Sequence, residues 1–195
     1  MNLPNKLTLL RIILVPFFII AMLVQFPFHY LVAGCIFGIA SVTDTLDGKI
    51  ARSRNLVTDF GKFADPLADK ILVLTALVCF LQVGLLGSFG AIPVIIVLFR
   101  EFAVSGIRLV AASSGKVVAA NIWGKIKTVS QMVGISVIFA MQVVLEILGA
   151  MKVSIGFISE VFYYIGNGLI WLSTVFTLIS GIIYLKDNIS FLKDN

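Results

Sequence analysis

Long apolar stretches separated by short polar ones recur along the whole chain. A helix needs about 20 mostly apolar residues to cross a hydrocarbon core of about 30 Å, and six stretches approach that length. They predict helices over roughly Leu9–Phe26, Tyr30–Lys49, Pro66–Val83, Ile92–Ala112, Ile126–Leu148 and Val161–Leu185. Six spans and their connections use up the chain. The expectation is therefore an all-α integral membrane protein with six transmembrane helices and a single domain over residues 1–195, with any chemistry carried on the bundle itself. Asn2, Pro4 and Asn5 ahead of the first span predict a short N-terminal interfacial segment. No internal repeat, low-complexity tract or linker breaks the pattern.

Composition narrows the class further. Hydrophobic residues make up 59% of the chain and charged ones 13%, whereas about a quarter of a soluble domain is charged. This excludes a disordered chain, a disulfide scaffold and an ordinary water-soluble enzyme. Cys35 and Cys79 both lie in apolar runs and read as small core residues. The net charge of +5 would point to nucleic acid in a soluble protein, but its placement points elsewhere. Threading the six spans alternately puts 14 of the 15 Lys and Arg toward one end and leaves only Lys152 opposite. Cationic residues concentrate on the cytoplasmic side of membrane proteins, so the reading is a cell-membrane protein with both termini in the cytoplasm and no nucleic-acid partner. Met1–Arg11 has the charges of a secretory signal, but no small-residue cleavage site follows Ala21, and the segment is kept as a retained span.

Ionisable residues at membrane depth are costly and mark functional sites by default. Five of the ten acidic residues lie between Asp44 and Asp69. Asp44 and Asp47 are three apart and Asp65 and Asp69 four apart, so each pair shares one face of a helix. If the two helices form an antiparallel pair, four carboxylates converge near the cytoplasmic surface, where they repel one another unless cations sit among them. Hard divalent cations take carboxylate oxygens together with substrate phosphates, and two of them can clamp an in-line phosphoryl displacement. The cluster thus reads as a di-metal site for phosphate chemistry. Gly48 and Gly61 leave room for a nucleotide or phosphate against the backbone, Ala51 keeps the Asp44 face open, and Arg52 either binds a phosphate or caps the helix. Taken alone, Asp65 before Pro66 reads equally well as an N-cap with proline at the first helical position; a helix beginning upstream makes it a first-turn ligand instead. Asp59 is either a surface charge or a neighbour of the cluster.

Together these residues spell D-x-x-D-G-x-x-A-R, eight residues, then G-x-x-x-D-x-x-x-D, from Asp44 to Asp69. The pattern resembles the signature of the CDP-alcohol phosphatidyltransferase family at every fixed position. The resemblance implies a membrane enzyme that moves a phosphatidyl group from a CDP-linked lipid to an alcohol and releases CMP. It also implies that Asp44, Asp47, Asp65 and Asp69 hold two divalent cations, Mg²⁺ or Mn²⁺. Thr43, Gly48, Ala51, Arg52 and Gly61 would then shape the CDP site with Asp44, Asp47 and Asp65, and Asp69 would also take the acceptor's hydroxyl proton. Metal binding alone is the other role open to Asp69. The family also implies a homodimer.

The acceptor is read from a second set of residues. Arg100, Glu101 and Arg108 lie in the fourth span, and Lys125, Lys127 and Thr128 open the fifth. Cations at the cytoplasmic ends of two spans suggest a pocket for an anionic acceptor, since Arg contacts phosphate bidentately and Lys adds a point charge; membrane anchoring by snorkelling side chains is the plainer reading. These segments and the opening Asn2–Thr8 with Arg11 are similar to the members of the family that make phosphatidylglycerol phosphate. That similarity implies CDP-diacylglycerol and glycerol 3-phosphate as substrates, the acceptor's phosphate meeting Arg100, Arg108, Lys125 and Lys127. Inositol phosphate, serine or a phospholipid are the alternative acceptors. A prenyltransferase is disfavoured because the D-G-x-x-A-R core does not fit it, and a small cation transporter because the outer halves of the spans are almost purely apolar. His29, at the outer end of a span, reads as interfacial. Gly34 and Gly38 form a G-x-x-x-G that allows close packing on another helix of this chain or of a second copy.

Overall fold

A chain with so little polar surface has to satisfy its backbone within each segment, which in lipid leaves only helices and closed barrels. The computed structural model describes residues 3–53, 59–113 and 122–188. They form α1 (Leu3–Leu23), α2 (His29–Ser53), α3 (Asp59–Gln82), α4 (Ala91–Ser113), α5 (Ile122–Ala150) and α6 (Gly156–Asn188), with no strand among the described residues. The shortest has 21 residues, about 32 Å at 1.5 Å per residue, so each can span the hydrocarbon core. Helices α1, α5 and α6 are also apolar enough to do so on composition alone, whereas the apolar parts of α2 (His29–Thr43) and α3 (Lys70–Gln82) are shorter.

Several boundaries differ from the hydropathy pattern, mostly toward the polar ends. The lead-in from Leu3 is continuous with α1, and Pro4 sits in its first turn, where a missing N–H breaks no helical bond. Helix α3 begins at Asp59, seven residues before Pro66. Asp65 is therefore inside a helix, neither an N-cap nor a first-turn residue.

The helices alternate in direction. At one end His29 of α2, Ala21 of α1 and Glu146 of α5 meet, and Asn167 of α6 bonds the carbonyl of Leu85 after α3 at 3.0 Å. Toward the other end lie the cationic residues of α3, α4 and α5. The connection between α3 and α4 turns through Gly84 and Gly87 at φ 79° and 66°, a region that favours glycine. Between the two ends, Phe18, Phe37, Phe80 and Phe139 bring α1, α2, α3 and α5 together, with ring centroids 5.1–6.3 Å apart in tilted and edge-on pairs. Large apolar side chains such as Phe99, Leu109 and Phe157 are exposed on the outside, as a lipid-facing surface requires.

Three expectations need correction. Cys79 is buried, but Cys35 is exposed and so is not a core residue. Of the G-x-x-x-G pair, Gly34 lies against Phe139 of α5, whereas a side chain at Gly38 would meet nothing within 4 Å. The outer end is less purely apolar than expected: Glu146 lies 3.8 Å from His29 Nε2 and accepts the backbone N–H of Tyr30 at 3.3 Å. The buried hydroxyls of Ser173, Thr174 and Thr177 in mid-α6 each donate to a carbonyl of their own helix at 2.8 Å.

Candidate active site

Helices α2 and α3 each carry an acidic pair, Asp44 and Asp47 toward the end of one and Asp65 and Asp69 in the first half of the other. Because α2 ends where α3 begins, both pairs belong to the same end of the bundle. The side chains of these four, and of Gly48, Ala51, Arg52 and Gly61, lie outside the described residues. Among the described residues no group of three His, Cys, Asp or Glu is placed to hold a metal. By residue type, carboxylates are hard oxygen donors, the kind that suits Mg²⁺ or Mn²⁺ and not a soft metal.

One turn before Asp44 on α2, the carbonyl of Ala40 accepts from Thr43 Oγ1 at 2.7 Å and from Arg11 Nε at 3.4 Å. Arg11 is 1% exposed, so α1 brings a guanidinium into the interior beside the acidic segment. Sequence reasoning placed Arg11 only in the opening segment and gave it no role. A guanidinium this deep in an apolar helix was the available signal, since buried charges are paired.

The second set of residues converges about a carboxylate that the sequence reading left without a role. Glu101 Oε1 accepts from Lys127 Nζ at 2.5 Å and from Arg100 Nη1 at 3.0 Å. All three side chains are at most 13% exposed. Arg100 Nη2 also donates to Ser180 Oγ of α6 at 2.6 Å. Lys70, which follows Asp69 on α3, donates to Ser105 Oγ of α4, and Ser105 in turn donates to the carbonyl of Glu101 at 2.6 Å. Thus α3, α4, α5 and α6 are tied together at one level by charge-assisted bonds, which are shorter and stronger than neutral ones. The close approach depends on Gly181, where a side chain would sit 3.1 Å from Arg100 Cγ.

Of the four cations expected to meet the acceptor phosphate, the structure brings Arg100 and Lys127 together and leaves the other two apart from them. Arg108 is exposed, its guanidinium 5.5 Å from the ring centre of Tyr184. Lys125 is exposed on α5, two residues and therefore about 200° around the helix from Lys127.

Residues 1–179 match the family model for CDP-alcohol phosphatidyltransferases. The chain belongs to that family. It is 41% identical to the CDP-diacylglycerol--glycerol-3-phosphate 3-phosphatidyltransferase of Bacillus subtilis (strain 168), over 98% of this chain and 97% of the relative. It is 35% identical to the protein of the same name from Rickettsia bellii (strain RML369-C), over 95% of this chain and 94% of the relative. For this phosphatidyltransferase, the acidic segments of α2 and α3 carry the family signature, and the Glu101 network adjoins them through the neighbours Asp69 and Lys70.

Proposed function

We propose that this phosphatidyltransferase moves the phosphatidyl group of CDP-diacylglycerol to glycerol 3-phosphate, giving phosphatidylglycerol phosphate and CMP. The observation that carries this reading is the pair Arg100 and Lys127 on the buried carboxylate of Glu101, with the half-buried Lys70 nearby on the helix that bears Asp65 and Asp69. An acceptor that is itself an anion needs such a cluster, and a neutral alcohol does not. The near full-length similarity to proteins named for this reaction supports the same acceptor.

In this proposal Asp44, Asp47, Asp65 and Asp69 hold two divalent cations, which supply neutralisation of the diphosphate. Thr43, Gly48, Ala51, Arg52 and Gly61, with Asp44, Asp47 and Asp65, form the walls of the CDP site, the glycines allowing close approach to the backbone. Asp69 takes the proton from the C1 hydroxyl of glycerol 3-phosphate. The hydroxyl oxygen then bonds to the lipid-linked phosphorus as the bond to CMP breaks, and holding both partners in line is the main contribution of the fold. Arg100 and Lys127, with Arg108 and Lys125 nearer the bundle end, draw in the acceptor's phosphate. The whole chain acts as one domain in the cell membrane, with this end and both termini facing the cytoplasm, in a homodimer.

The test is CMP release by purified protein in detergent with CDP-diacylglycerol and glycerol 3-phosphate, inositol phosphate, serine or no acceptor. The expected outcome is release with glycerol 3-phosphate alone, sustained by Mg²⁺ or Mn²⁺ and abolished by EDTA. The Asp44→Asn variant is expected to fold, because repulsion among the carboxylates is relieved, yet to lose turnover. Release with another acceptor only would overturn the acceptor assignment, and near-normal turnover of Asp44→Asn would overturn the role given to the aspartates.

A further inference from the structure

The buried face of α1 changes character along its length. Val15, Phe18 and Met22 fill the core, whereas Asn5, Thr8 and Arg11, each at most 6% exposed, continue that face toward the start of the helix. Their spacing of three keeps them on one side. Helix α1 packs mainly against α2 and α3, the two helices that carry Asp44, Asp47, Asp65 and Asp69. It runs antiparallel to α2, because His29 of α2 meets Ala21 at one end and Ala40 meets Arg11 further along. Each step of three residues from Arg11 toward the start of α1 therefore matches a step of three beyond Ala40, which puts Thr8 level with Thr43 and Asn5 level with Leu46. The polar part of α1 thus accompanies α2 along the turns that bear the first acidic pair.

Within this face Arg11 stands apart. A cation serving only as a membrane anchor extends its head to the surface, whereas Arg11 is 1% exposed, and a charge so buried has to be held by hydrogen bonds. Its Nε donates to the Ala40 carbonyl at 3.4 Å, and Thr43 Oγ1 donates to the same oxygen at 2.7 Å. In an α-helix this carbonyl also takes the backbone N–H four residues on, that of Asp44. Three donors from two helices therefore converge on the carbonyl that closes the turn ending at Asp44.

We infer that Arg11 is a positioning residue for the aspartates: by tying α1 to the turn of α2 that ends at Asp44, it fixes the height and rotation of the Asp44–Asp47 segment relative to α3. This rests on the proposed function, because it takes the aspartates to hold two divalent cations. A pair of cations shared between two helices needs the helices at a fixed separation. Bonds within α2 cannot set its place against α3, but α1, packed on both, can. Residues that orient metal ligands from behind act on metal affinity without touching the metal.

The experiment measures Mn²⁺ binding to the full-length protein in detergent, without substrate, from the electron paramagnetic resonance signal of free Mn²⁺. CMP release against Mn²⁺ concentration and the midpoint of unfolding by SDS are read alongside. In Arg11→Met, Mn²⁺ affinity is expected to fall about tenfold or more, the loss typical when a residue behind a metal ligand is removed. The Mn²⁺ concentration for half-maximal CMP release rises in step, while KM for glycerol 3-phosphate at saturating Mn²⁺ moves by no more than about twofold. Arg11→Lys keeps the charge and loses the Nε donor; it is expected to weaken Mn²⁺ binding to a smaller extent, and it serves where the methionine variant does not fold. Glu146→Gln, at the opposite end of the bundle, removes the charge facing His29 and is expected to lower the unfolding midpoint with Mn²⁺ affinity unchanged. Wild-type Mn²⁺ affinity in either folded Arg11 variant would overturn the inference, as would a loss in Glu146→Gln equal to that in Arg11→Met. A wild-type protein that binds no Mn²⁺ rejects instead the metal role in the proposed function.

Discussion

Glu101 is the residue on which most of the buried charge depends. Removing one partner of a buried ion pair costs about 3–5 kcal/mol, because the remaining charge is left uncompensated. Here the loss exposes Arg100 and Lys127 to each other across the oxygen they share. Glu101→Gln is therefore expected to lower the stability of the bundle by about 3 kcal/mol, read as an earlier midpoint when the protein is unfolded by SDS in mixed micelles. Arg108→Ala provides the contrast. Its guanidinium stands over Tyr184 at 5.5 Å but is exposed, where a cation–π contact is worth about 0.5–1 kcal/mol. Similar losses in the two variants would mean that Glu101 is not the hub of this network. The aspartates were legible in the sequence because their spacings of three and four are local to one helix turn. Glu101 was not, since its partner Lys127 is 26 residues away and the Ser180 that anchors Arg100 is 80 residues from it. Gln131 gave no signal either: that a lone glutamine in an apolar helix is buried follows only from the packing of α3 and α4 beside it.

At the scale of elements, hydropathy reports where lipid begins, whereas a helix runs on as long as its backbone bonds do. That is why all six helices were legible while α1 and α3 begin six and seven residues before their expected starts, in polar segments that no apolar pattern marks. For the proposed site the difference matters, because it puts Asp65 and Asp69 within a helix instead of at its start. The pairing of α5 with α6 was not legible either. It relies on two isolated glycines, with no repeated motif: Gly134, whose added Cβ would be 3.5 Å from Ile170 Cδ1, and Gly166, whose added Cβ would be 3.1 Å from Ile138 Cγ1. The first is ordinary contact and the second is tight. Gly134→Ala is accordingly expected to be neutral or slightly stabilising, since alanine is the better helix former. Gly166→Leu is expected to destabilise by about 1–3 kcal/mol through overpacking. Because α5 carries Lys127 and α6 carries Ser180, the second variant is also expected to raise KM for glycerol 3-phosphate under the proposed function. Equal tolerance of both substitutions would mean that the two helices can separate freely.

The molecule as a whole is polarised, and its proposed orientation follows from that polarity. The cations of α1 through α5, from Lys6 to Lys127, and Lys186 of α6 lie toward the end where α2 finishes and α3 starts, while Lys152 stands alone in the connection between α5 and α6. Positive residues are retained on the cytoplasmic side, and the nucleotide-linked reaction proposed above needs its site on the side where CMP and CDP-lipids are handled. The two arguments are independent, one concerning insertion and the other substrate supply, and they require the same orientation. It can be measured with single cysteines introduced after Cys35→Ala and Cys79→Ala. Lys152→Cys, at a left-handed residue (φ 56°) in an exposed turn, is expected to react with a membrane-impermeant maleimide in intact cells. Asp187→Cys, exposed near the end of α6, is expected to react only after permeabilisation. The reverse pattern would place the acidic segments and the Glu101 network on the outer face, and in the cell the enzyme would then have to draw its CDP-lipid from the wrong side of the membrane.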